Sequence, residues 1–428
     1  MRYARQQTIE GWDQGRLEKA VLAIAGSGPT AFMSGLMAAA MGFGRLVLFI
    51  GEPASRSRTS ALTPADSWGE LFGKVNPQTR VYCFPKWPGE KTVARLPLDG
   101  LIVATNDRST QDWGRRLAQC TGAPTVAGCA AGFAGIWGKP IKNKVTAQFD
   151  GRAEAPLAGQ IVAALLVDEM RKILMPLPGE AGPTTRNHIL ALSCPGGAEA
   201  VQTPLRARQL HLALVGAGAL GTWFGLALGA SGVEGAVDIF DDDDVDESNL
   251  NRQVLFYEAV GQPKALVLAA RLQQFFGRAQ WTGYGMAIRE GNSAQLANAD
   301  VLVACPDNFA ARALLNGVAR RRRRTLINGG TSAMGGSCMT YAPGRTACLS
   351  CRMRIEQLAE NESQSQSCAR AQAAVVTSNA IIGALMAWKV RKMFDGRVER
   401  SIWEYDGRAA TGRIGAHSPR PACRCHLE

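Results

Sequence analysis

Histidine is scarce in this sequence, and long apolar runs are missing from it. Only four histidines occur among 428 residues, which disfavours a catalytic centre or a metal site built on several histidines. No apolar run reaches the roughly 18 residues that a membrane-spanning helix needs. Residues 1–6 also lack the apolar core of a signal peptide. We therefore expect a cytoplasmic protein that has no membrane partner.

Acidic residues are outnumbered by basic ones, so the formal net charge is +12. Much of the excess lies in residues 320–324, at the end of a helical pattern and before the apolar residues 325–327. A solvated helix C-terminus, where cations interact favourably with the helix dipole, accounts for such a run. A docking face for an acidic partner is the alternative. Aromatic residues do not alternate with these arginines, so a nucleic-acid partner is not expected.

Cysteine, in contrast, is plentiful, with eleven residues. In a cytosolic chain such cysteines indicate metal ligands or reactive thiols before disulfides. Six of them lie in or beside apolar stretches and are expected in the protein core: Cys83, Cys120, Cys129, Cys194, Cys305 and Cys338. The other five are the candidates for chemistry.

One pattern is written twice along the chain. Residues 21–28 read as an apolar strand that enters a glycine-rich turn, and residues 211–218 read the same way 190 positions later. Residues 101–107 recur as residues 301–307, at an offset of 200. Such internal repetition predicts two copies of one structural unit.

A third landmark recurs at an offset of 220, because residues 161–165 match residues 381–385. Apolar strands alternate with helical patterns in each copy, which indicates a parallel sheet covered on both faces. We predict an α/β protein of two tandem Rossmann-like halves, with mainly parallel sheets flanked by helices, packed as an internal pseudo-dimer. The predicted domains are 1–190 and 191–428.

The second copy carries a candidate nucleotide site. Gly216, Gly218 and Gly221 fit the G-x-G-x-x-G turn, which lets phosphate approach the backbone at a helix N-terminus. Asp241 follows Gly221 by 20 residues at the end of the next predicted strand, where a carboxylate can accept ribose hydroxyls. This pattern alone also suits NAD or FAD.

Two cations and a further carboxylate favour a triphosphate. Arg252 and Lys264 can neutralise phosphate charge, and Asp307 can hold Mg²⁺. A dinucleotide bound for hydride transfer needs none of the three. The sequence therefore predicts ATP as the nucleotide.

The spacing of these residues resembles a known family. Residues 241–253 read DDDDVDESNLNRQ, residues 260–264 read VGQPK, and an Asp-Asn pair follows at 307–308. This arrangement is similar to the ThiF/MoeB/ubiquitin-activating superfamily over most of the second half. The resemblance implies that an acid is adenylated at a Gly-Gly tail and that pyrophosphate leaves.

The resemblance also implies roles for individual residues. Asp241 would hold the ribose, and Asp243 would be a second acidic residue of the site. Four residues would surround the phosphates: Asn249, Arg252, Gln253 and Lys264. Asp307 would bind Mg²⁺. Within the run of aspartates, Asp242 and Asp244 read as exposed turn residues.

The first half lacks most of these groups. At an offset of 190, Asp241, Asp243 and Arg252 correspond to Gly51, Pro53 and Leu62, although Lys74 and Asp107 remain. We therefore expect the first half not to adenylate anything. Residues 3–6 resemble the R-Y-x-R-Q opening of the superfamily, which implies that Arg5 reaches into the ATP site of the other half.

Two cysteine groups near the end of the chain predict a Zn²⁺ site. Cys348 and Cys351 have CxxC spacing, which suits two thiolates on one tetrahedral ion. Family members complete such a site with a second CxxC, whereas this chain reads Cys423-Arg424-Cys425-His426. The fourth ligand is therefore Cys425 or, at CxxH spacing, His426.

The last candidate is Cys368, which follows a Ser/Gln-rich stretch and precedes an apolar helix predicted from about residue 373 to 393. In the superfamily the acceptor thiol lies at this place, so the resemblance implies a thioester on Cys368. A cysteine that merely sits at a helix entrance is the alternative.

An inactive half fused before an active one resembles ubiquitin-type activating enzymes, whereas sulfur-carrier activators are symmetric dimers. The resemblance thus implies ATP-dependent adenylation of a ubiquitin-like protein with a C-terminal glycine tail, followed by thioester formation and hand-off to an E2-like carrier enzyme. The compact layout looks most like activating enzymes of bacterial ubiquitin-like conjugation operons, including antiphage ones. Adenylation for sulfur transfer or peptide modification stays open, as does a nucleotide-dependent redox enzyme or a non-catalytic nucleotide-binding scaffold.

Overall fold

The computed structural model describes residues 2–51, 67–139, 149, 152–192, 210–364, 373–394, 398, 401–416, 418–420, 423 and 425. The chain forms two units. One comprises Met1–Thr203, Leu250–Glu258 and Val375–Ile381, and the other comprises Pro204–Asn249, Ala259–Ala374 and Ile382–Glu428. The assignment of one inactive and one active domain stays a prediction.

The first unit alternates strands and helices along the chain. Its strands are β1 (Val21–Ala25), β2 (Arg45–Phe49), β3 (Arg80–Phe84), β4 (Gly100–Ala104), β5 (Thr125–Ala131), β6 (Ala134–Gly138) and β7 (Asn187–Ala191). Its helices are α1 (Ala4–Gln7), α2 (Gln14–Lys19), α3 (Pro29–Met41), α4 (Trp68–Val75), α5 (Glu90–Val93), α6 (Arg108–Thr121) and α7 (Pro156–Leu174). Within the described residues the sheet has the order β3-β2-β1-β4-β5-β6-β7.

The first five strands of this sheet are parallel, and β6 and β7 are antiparallel. Every residue of β1 and of α3 is buried. A helix that is apolar on all sides must be covered on all sides, which is why α3 lies inside the unit. The continuous apolar run of β1 is typical of a strand with both faces covered.

The second unit repeats this arrangement. Its strands are β8 (Leu210–Val215), β9 (Gly235–Phe240), β10 (Ala279–Tyr284), β11 (Val301–Ala304), β12 (Thr325–Thr331), β13 (Gly335–Tyr341), β14 (Ile402–Asp406) and β15 (Thr411–Gly415). Its helices are α8 (Ala219–Ala230), α9 (Lys264–Phe275), α10 (Phe309–Arg321), α11 (Leu349–Met353) and α12 (Ile355–Gln364). A further helix, α13 (Val376–Phe394), begins in a segment of the first unit.

The sheet of the second unit has the order β10-β9-β8-β11-β12-β13-β14-β15 in the described part of the chain. Its first five strands are parallel and the rest antiparallel, so the order matches that of the first sheet with β15 added. Helices α7 and α13 each have 19 residues and begin 220 positions apart. The prediction of two tandem Rossmann-like α/β halves with mainly parallel sheets is confirmed.

Two of the expected core cysteines lie elsewhere. Cys83 and Cys120 are exposed, whereas Cys129, Cys305 and Cys338 are buried as expected. Cys83 is exposed because β3 is the edge strand of its sheet, and Cys120 lies in the last turn of α6 on a solvent-facing side. Cys194 falls outside the described residues.

None of the helices in the described part of the chain has the length and apolar character that crossing a bilayer requires.

Candidate nucleotide site and cysteine cluster

The glycine turn lies at the point where the strand order of the second sheet reverses. β8 pairs with β9 on one side and with β11 on the other, and ligands of open α/β sheets bind outside the carboxyl ends of strands at such a point. Gly216 has a φ of 101°, and a Cβ there would lie 2.5 Å from the carbonyl oxygen of Cys305. Only glycine fits this position.

The other two glycines of the turn lie at the start of α8. Gly218 is the N-cap residue, so the first N–H groups of α8 face the turn. A Cβ on Gly221 would lie 2.1 Å from the carbonyl oxygen of Gly216, which shows how closely the helix packs on the turn. The turn and helix together form the kind of N-terminus that binds phosphate.

Asp241 lies beside this turn, one residue after β9. Its Oδ2 accepts a hydrogen bond from the Ala217 N–H at 2.6 Å, and its Oδ1 accepts one from the Asp243 N–H at 3.0 Å. Burial raises the pKa of Asp241, and these two N–H groups act in the opposite direction. A carboxylate has about four acceptor sites, so two remain for ribose hydroxyls.

Lys264 is brought to the same place by a contact between two loops. Asp244 and Pro263 form an isolated β-bridge, and the Lys264 N–H donates to the Asp243 carbonyl at 2.9 Å. The ammonium group lies 2.7 Å from Asp243 Oδ2. The Lys264 side chain is 9% exposed, whereas that of Asp243 is 65% exposed. The ion pair therefore joins a buried ammonium group to a carboxylate that solvent can reach.

Asp307 follows β11 at the carboxyl edge of the sheet, and its side chain is exposed. Its Oδ1 accepts a hydrogen bond from the Asn308 amide at 3.3 Å, while Asn308 caps α10 by accepting from the Ala311 N–H at 2.8 Å. The cap fixes the backbone on which Asp307 is carried, and leaves carboxylate oxygens open to a hard cation such as Mg²⁺.

Arg312 is a residue of this site that was not predicted from the sequence. Its guanidinium donates to the Pro306 carbonyl at 2.5 Å, to Asn328 Oδ1 at 2.7 Å and to the Gly329 carbonyl at 2.5 Å. Burial lowers its pKa. Arg312 therefore ties the loop that carries Asp307 to β12. An arginine in the first turn of a helix that follows the Asp-Asn pair was the available signal.

Asn249 is buried at the end of a short 3₁₀ helix, Glu247–Asn249. Its Oδ1 accepts a hydrogen bond from the Asp246 N–H at 3.0 Å, and Asp246 Oδ1 accepts one from the Ser248 N–H at 2.8 Å. The local role of Asn249 is thus to close the loop that links the acidic run to the next segment.

The two other expected phosphate ligands lie in Leu250–Glu258, a segment that belongs to the first unit. Arg252 is buried, and its guanidinium donates to Asn251 Oδ1 at 2.7 Å. Gln253 is also buried, and its Oε1 has no hydrogen-bond partner among the described residues. An unsatisfied buried acceptor is costly, so a donor from outside the described chain fits this position.

The N-terminal segment that contains Arg5 belongs to the same unit. The Tyr3 hydroxyl accepts a hydrogen bond from the Asn76 amide at 2.8 Å, and Gln6 donates to Gln14 at 2.6 Å and accepts from Asn251 at 3.0 Å. Tyr3 and Gln6 are buried, whereas Arg5 between them is half-buried. The tyrosine and glutamine of the opening motif are therefore anchors for the arginine.

Four cysteine sulfur atoms converge in the second unit. Cys348 Sγ lies 3.9 Å from Cys351 Sγ and 3.7 Å from Cys423 Sγ, and Cys351 Sγ lies 3.6 Å from Cys425 Sγ. All four atoms lie within 4.8 Å of one another. A disulfide would need about 2.05 Å, whereas thiolates about 2.3 Å from one tetrahedral ion lie roughly 3.8 Å apart.

The structure does not describe two of the expected site residues. Cys368 and His426 fall outside the described residues. Helix α12, which leads towards Cys368, is joined to the nucleotide edge by Glu362, whose Oε2 accepts from the Phe309 N–H at 2.6 Å. Helix α13 begins at Val376, close to the start predicted for it.

Comparison with known proteins gives the family. The ThiF family profile matches residues 195–425, more than half of the chain. The chain belongs to the ThiF family. It is 31% identical over 206 residues to the sulfur carrier protein ThiS adenylyltransferase of Escherichia coli, which covers 47% of this chain and 79% of that protein.

Other relatives of this ThiF-family chain are matched over less of their length. The ThiS adenylyltransferase of Bacillus subtilis is 34% identical, over 34% of this chain and 44% of the relative. The adenylyltransferase and sulfurtransferase MOCS3 of Sus scrofa is 30% identical, over 62% and 60%. Among solved structures, E. coli MccB with ATP is 22% identical with a TM-score of 0.45, over 52% of this chain and 67% of that one.

Within this ThiF-family chain, the two charged residues that the first half retains have local structural contacts. Lys74 pairs with Glu70 one turn earlier on α4, at 2.7 Å. Asp107 caps α6, because its Oδ2 accepts from the Thr110 N–H at 2.7 Å. Their presence at matching positions is therefore explained without a nucleotide.

Proposed function

We propose that this chain is an ATP-dependent adenylating enzyme that activates the C-terminal carboxylate of a small ubiquitin-like protein. The observation that carries the proposal is the gathering of a glycine turn, Asp241, Lys264 and Asp307 at one sheet edge in a ThiF-family chain. The names of the relatives, which adenylate the small protein ThiS or are adenylyltransferases, support the reaction class.

In the proposed reaction a carboxylate oxygen of the partner attacks the α-phosphorus of ATP. A phosphorus–oxygen bond forms to the acid, the bond from the α-phosphorus to the bridging oxygen breaks, and pyrophosphate leaves. In this proposal Asp241 holds the ribose, the α8 N-terminus holds phosphate, and Lys264 balances negative charge. Mg²⁺ bound at Asp307 would neutralise charge on the leaving pyrophosphate.

Lys264 must change partner during this cycle. In the described state its ammonium group binds Asp243, and a triphosphate offers more negative charge than one exposed carboxylate. We infer that Asp243 stores Lys264 in position between turnovers and that the ammonium turns towards phosphate when ATP binds. The backbone bond from Lys264 to the Asp243 carbonyl keeps the two loops joined throughout.

We further propose that the four cysteines hold Zn²⁺ as a structural ion. Four thiolates at these separations form a closed tetrahedral set with no position left for a water or a substrate. The site connects α11 with Cys423 and Cys425 within one unit, so its proposed role is to hold these two cysteines against the core of that unit. Cys425 supplies the fourth sulfur, and the alternative His426 is not needed.

The finer proposal is that Cys368 receives the activated acyl group. Its thiolate would attack the carbonyl carbon, a carbon–sulfur bond would form, the acyl–phosphate bond would break and AMP would leave. The thioester keeps the acyl group reactive for an E2-like carrier enzyme. With this chemistry, we propose that the protein acts in bacterial ubiquitin-like conjugation, including antiphage defence.

The test uses Cys368→Ala and Cys83→Ser, a control at an exposed cysteine of the first unit. Each variant receives ATP, Mg²⁺ and a ubiquitin-like protein that ends in Gly-Gly, and products are separated on non-reducing gels. We expect both variants to exchange pyrophosphate and only Cys368→Ala to lose the reductant-sensitive adduct. An adduct that persists in Cys368→Ala contradicts the assignment.

A second candidate is activation of a sulfur carrier, which the names of the ThiS and MOCS3 relatives favour. It shares the adenylation step and differs in the acceptor, because sulfur replaces AMP on the carrier. Wild-type enzyme that exchanges pyrophosphate but forms no protein thioester with any Gly-Gly-tailed partner supports this second candidate over the first.

A further inference from the structure

The first unit carries its own glycine turn at residues 26–28, directly before α3. Gly26 has a φ of 142°, and a Cβ there would lie 2.1 Å from the Ala104 carbonyl oxygen, as Gly216 does against Cys305 in the second unit. The tight glycine turn before a helix is thus kept in the half that has lost the ribose and phosphate side chains, although Pro29 at the first helical position offers no N–H.

A carboxyl group from elsewhere in the chain lies against this turn. Glu154 Oε2 accepts a hydrogen bond from the Thr30 N–H in the first turn of α3 at 2.9 Å, and Oε1 accepts one from the Asn106 N–H at 3.3 Å. A Cβ built on Gly28 would lie 2.5 Å from the carboxyl carbon. This is the place at which the fold offers a helix N-terminus to an anion.

The backbone around Glu154 is held firmly. Glu154 forms an isolated antiparallel bridge with Ala131. The Asn106 side chain donates to the Ala130 carbonyl at 2.8 Å and to the Arg152 carbonyl at 3.2 Å, and accepts from the Ala130 N–H at 3.0 Å. These backbone contacts therefore fix the position from which the Glu154 side chain extends.

The second copy lacks this carboxyl group. Helices α7 and α13 correspond at an offset of 220 and have equal length, so Glu154 corresponds to Ala374. The half that keeps the nucleotide ligands has a methyl group where the other half has a carboxyl group. This difference is the one expected if the second unit admits phosphate at this position and the first unit excludes it.

In the first unit, the position that corresponds to the expected ribose ligand Asp241 is also filled. Gly51 stands where the second half has Asp241, and a Cβ on Gly51 would lie 2.6 Å from Trp87 Nε1. The Trp87 ring stacks on Trp113 with centroids 5.6 Å apart. The ribose position of the first unit is thus closed by an indole, as the phosphate position is closed by Glu154.

We propose that the Glu154 carboxyl group is a tethered ligand of an oxyanion site at the start of α3, which takes the position of a nucleotide phosphate and closes the first unit to nucleotides. The inference deepens the division of labour on which the proposed function rests. It predicts one nucleotide per chain, and a latent site for inorganic phosphate that opens when the carboxyl group is removed.

The test measures thermal unfolding of Glu154→Ala in increasing inorganic phosphate, with chloride at matched ionic strength. We expect a lowered Tm that phosphate largely restores in a saturable way. The control is Asp107→Ala, which also removes a carboxylate from a helix N-terminus in the same unit, but at a partly exposed cap. Wild type and Asp107→Ala should show only the same gradual response to phosphate.

An unchanged Tm in Glu154→Ala, or a phosphate response equal to that of Asp107→Ala, would overturn the proposal. If Glu154→Ala does not fold, titration of wild-type protein with a non-hydrolysable ATP analogue decides, since two bound analogues per chain contradict the proposal and one supports it. Wild type that binds no analogue contradicts the proposed function instead, and the phosphate rescue then tests this inference alone.

Discussion

At the scale of single residues, several side chains of the candidate site have partners in the structure that differ from those they would have with substrate. Lys264 is the sharpest case, because its ammonium group is almost fully buried against one exposed carboxylate. Burial of a cation is costly unless it is paired, so the Asp243 carboxylate offsets the cost of holding Lys264 at the sheet edge.

We predict that Lys264→Ala reduces ATP–pyrophosphate exchange about 100-fold, since loss of one charge-stabilising contact costs roughly 3 kcal/mol of transition-state binding. The matched control is Lys74→Ala, which removes the corresponding lysine of the first half and its exposed pair with Glu70. Exchange should change little in the control. Equal losses in the two variants would contradict the placement of the site.

Arg5 supports a second prediction at this scale. Tyr3 and Gln6 fix the segment, so Arg5→Ala should slow adenylate formation by about 100-fold without lowering Tm. Arg16→Ala removes an exposed arginine of α2 that pairs with Asp13 and serves as the comparison. The measurement is the single-turnover rate of adenylate formation in the two variants. Equal rates in Arg5→Ala and Arg16→Ala would show that Arg5 has no catalytic role.

At the scale of elements, helix α11 meets Cys423 and Cys425 at a cluster of four sulfur atoms. We predict one equivalent of zinc per chain, lost in Cys351→Ser and retained in Cys83→Ser. Because metal-bound thiolates contribute directly to folding, chelation should lower the Tm of wild type. Metal-free protein purified under reducing conditions, with the same Tm, would argue against the cluster as a zinc site.

The N-terminus of α3 gives a prediction about pH. Burial raises the pKa of Glu154 above its ordinary 4.5, with the Thr30 and Asn106 N–H groups opposing the shift. The folded state then keeps a proton that the unfolded state loses, so this group lowers stability as pH rises from about 4.5 towards its folded pKa. Glu154→Gln should gain Tm relative to wild type across that interval, and a constant difference in Tm would show that the pKa is not raised.

At the scale of the whole molecule, the tandem repeat and the nucleotide-binding pattern could be read from the sequence. The apolar strands, the glycine turns and the spacing of Asp241 and Lys264 are local signals that repeat at measurable offsets. They predicted the parallel sheets and the family correctly, because a strand followed by a glycine turn and an apolar helix has few structural solutions.

Other features depend on contacts between residues far apart in the chain, and the sequence did not show them. Glu154 reaches Thr30 across 124 positions. Arg312 donates to the Pro306 and Gly329 carbonyls and to Asn328, and its position in the sequence does not identify these partners. The expectation that Cys83 and Cys120 are buried was wrong because apolar neighbours do not reveal which strand forms a sheet edge or which helix face meets solvent.

We propose that adenylation takes place at the second unit alone. ATP–pyrophosphate exchange with small Gly-Gly-tailed proteins, measured for wild type, Asp307→Ala and Asp107→Ala, tests it most directly. We expect partner-dependent exchange in wild type, its loss in Asp307→Ala, and retention of most of it in Asp107→Ala, where only a helix cap is removed. Equal loss in both variants, or exchange that survives in Asp307→Ala, would contradict it.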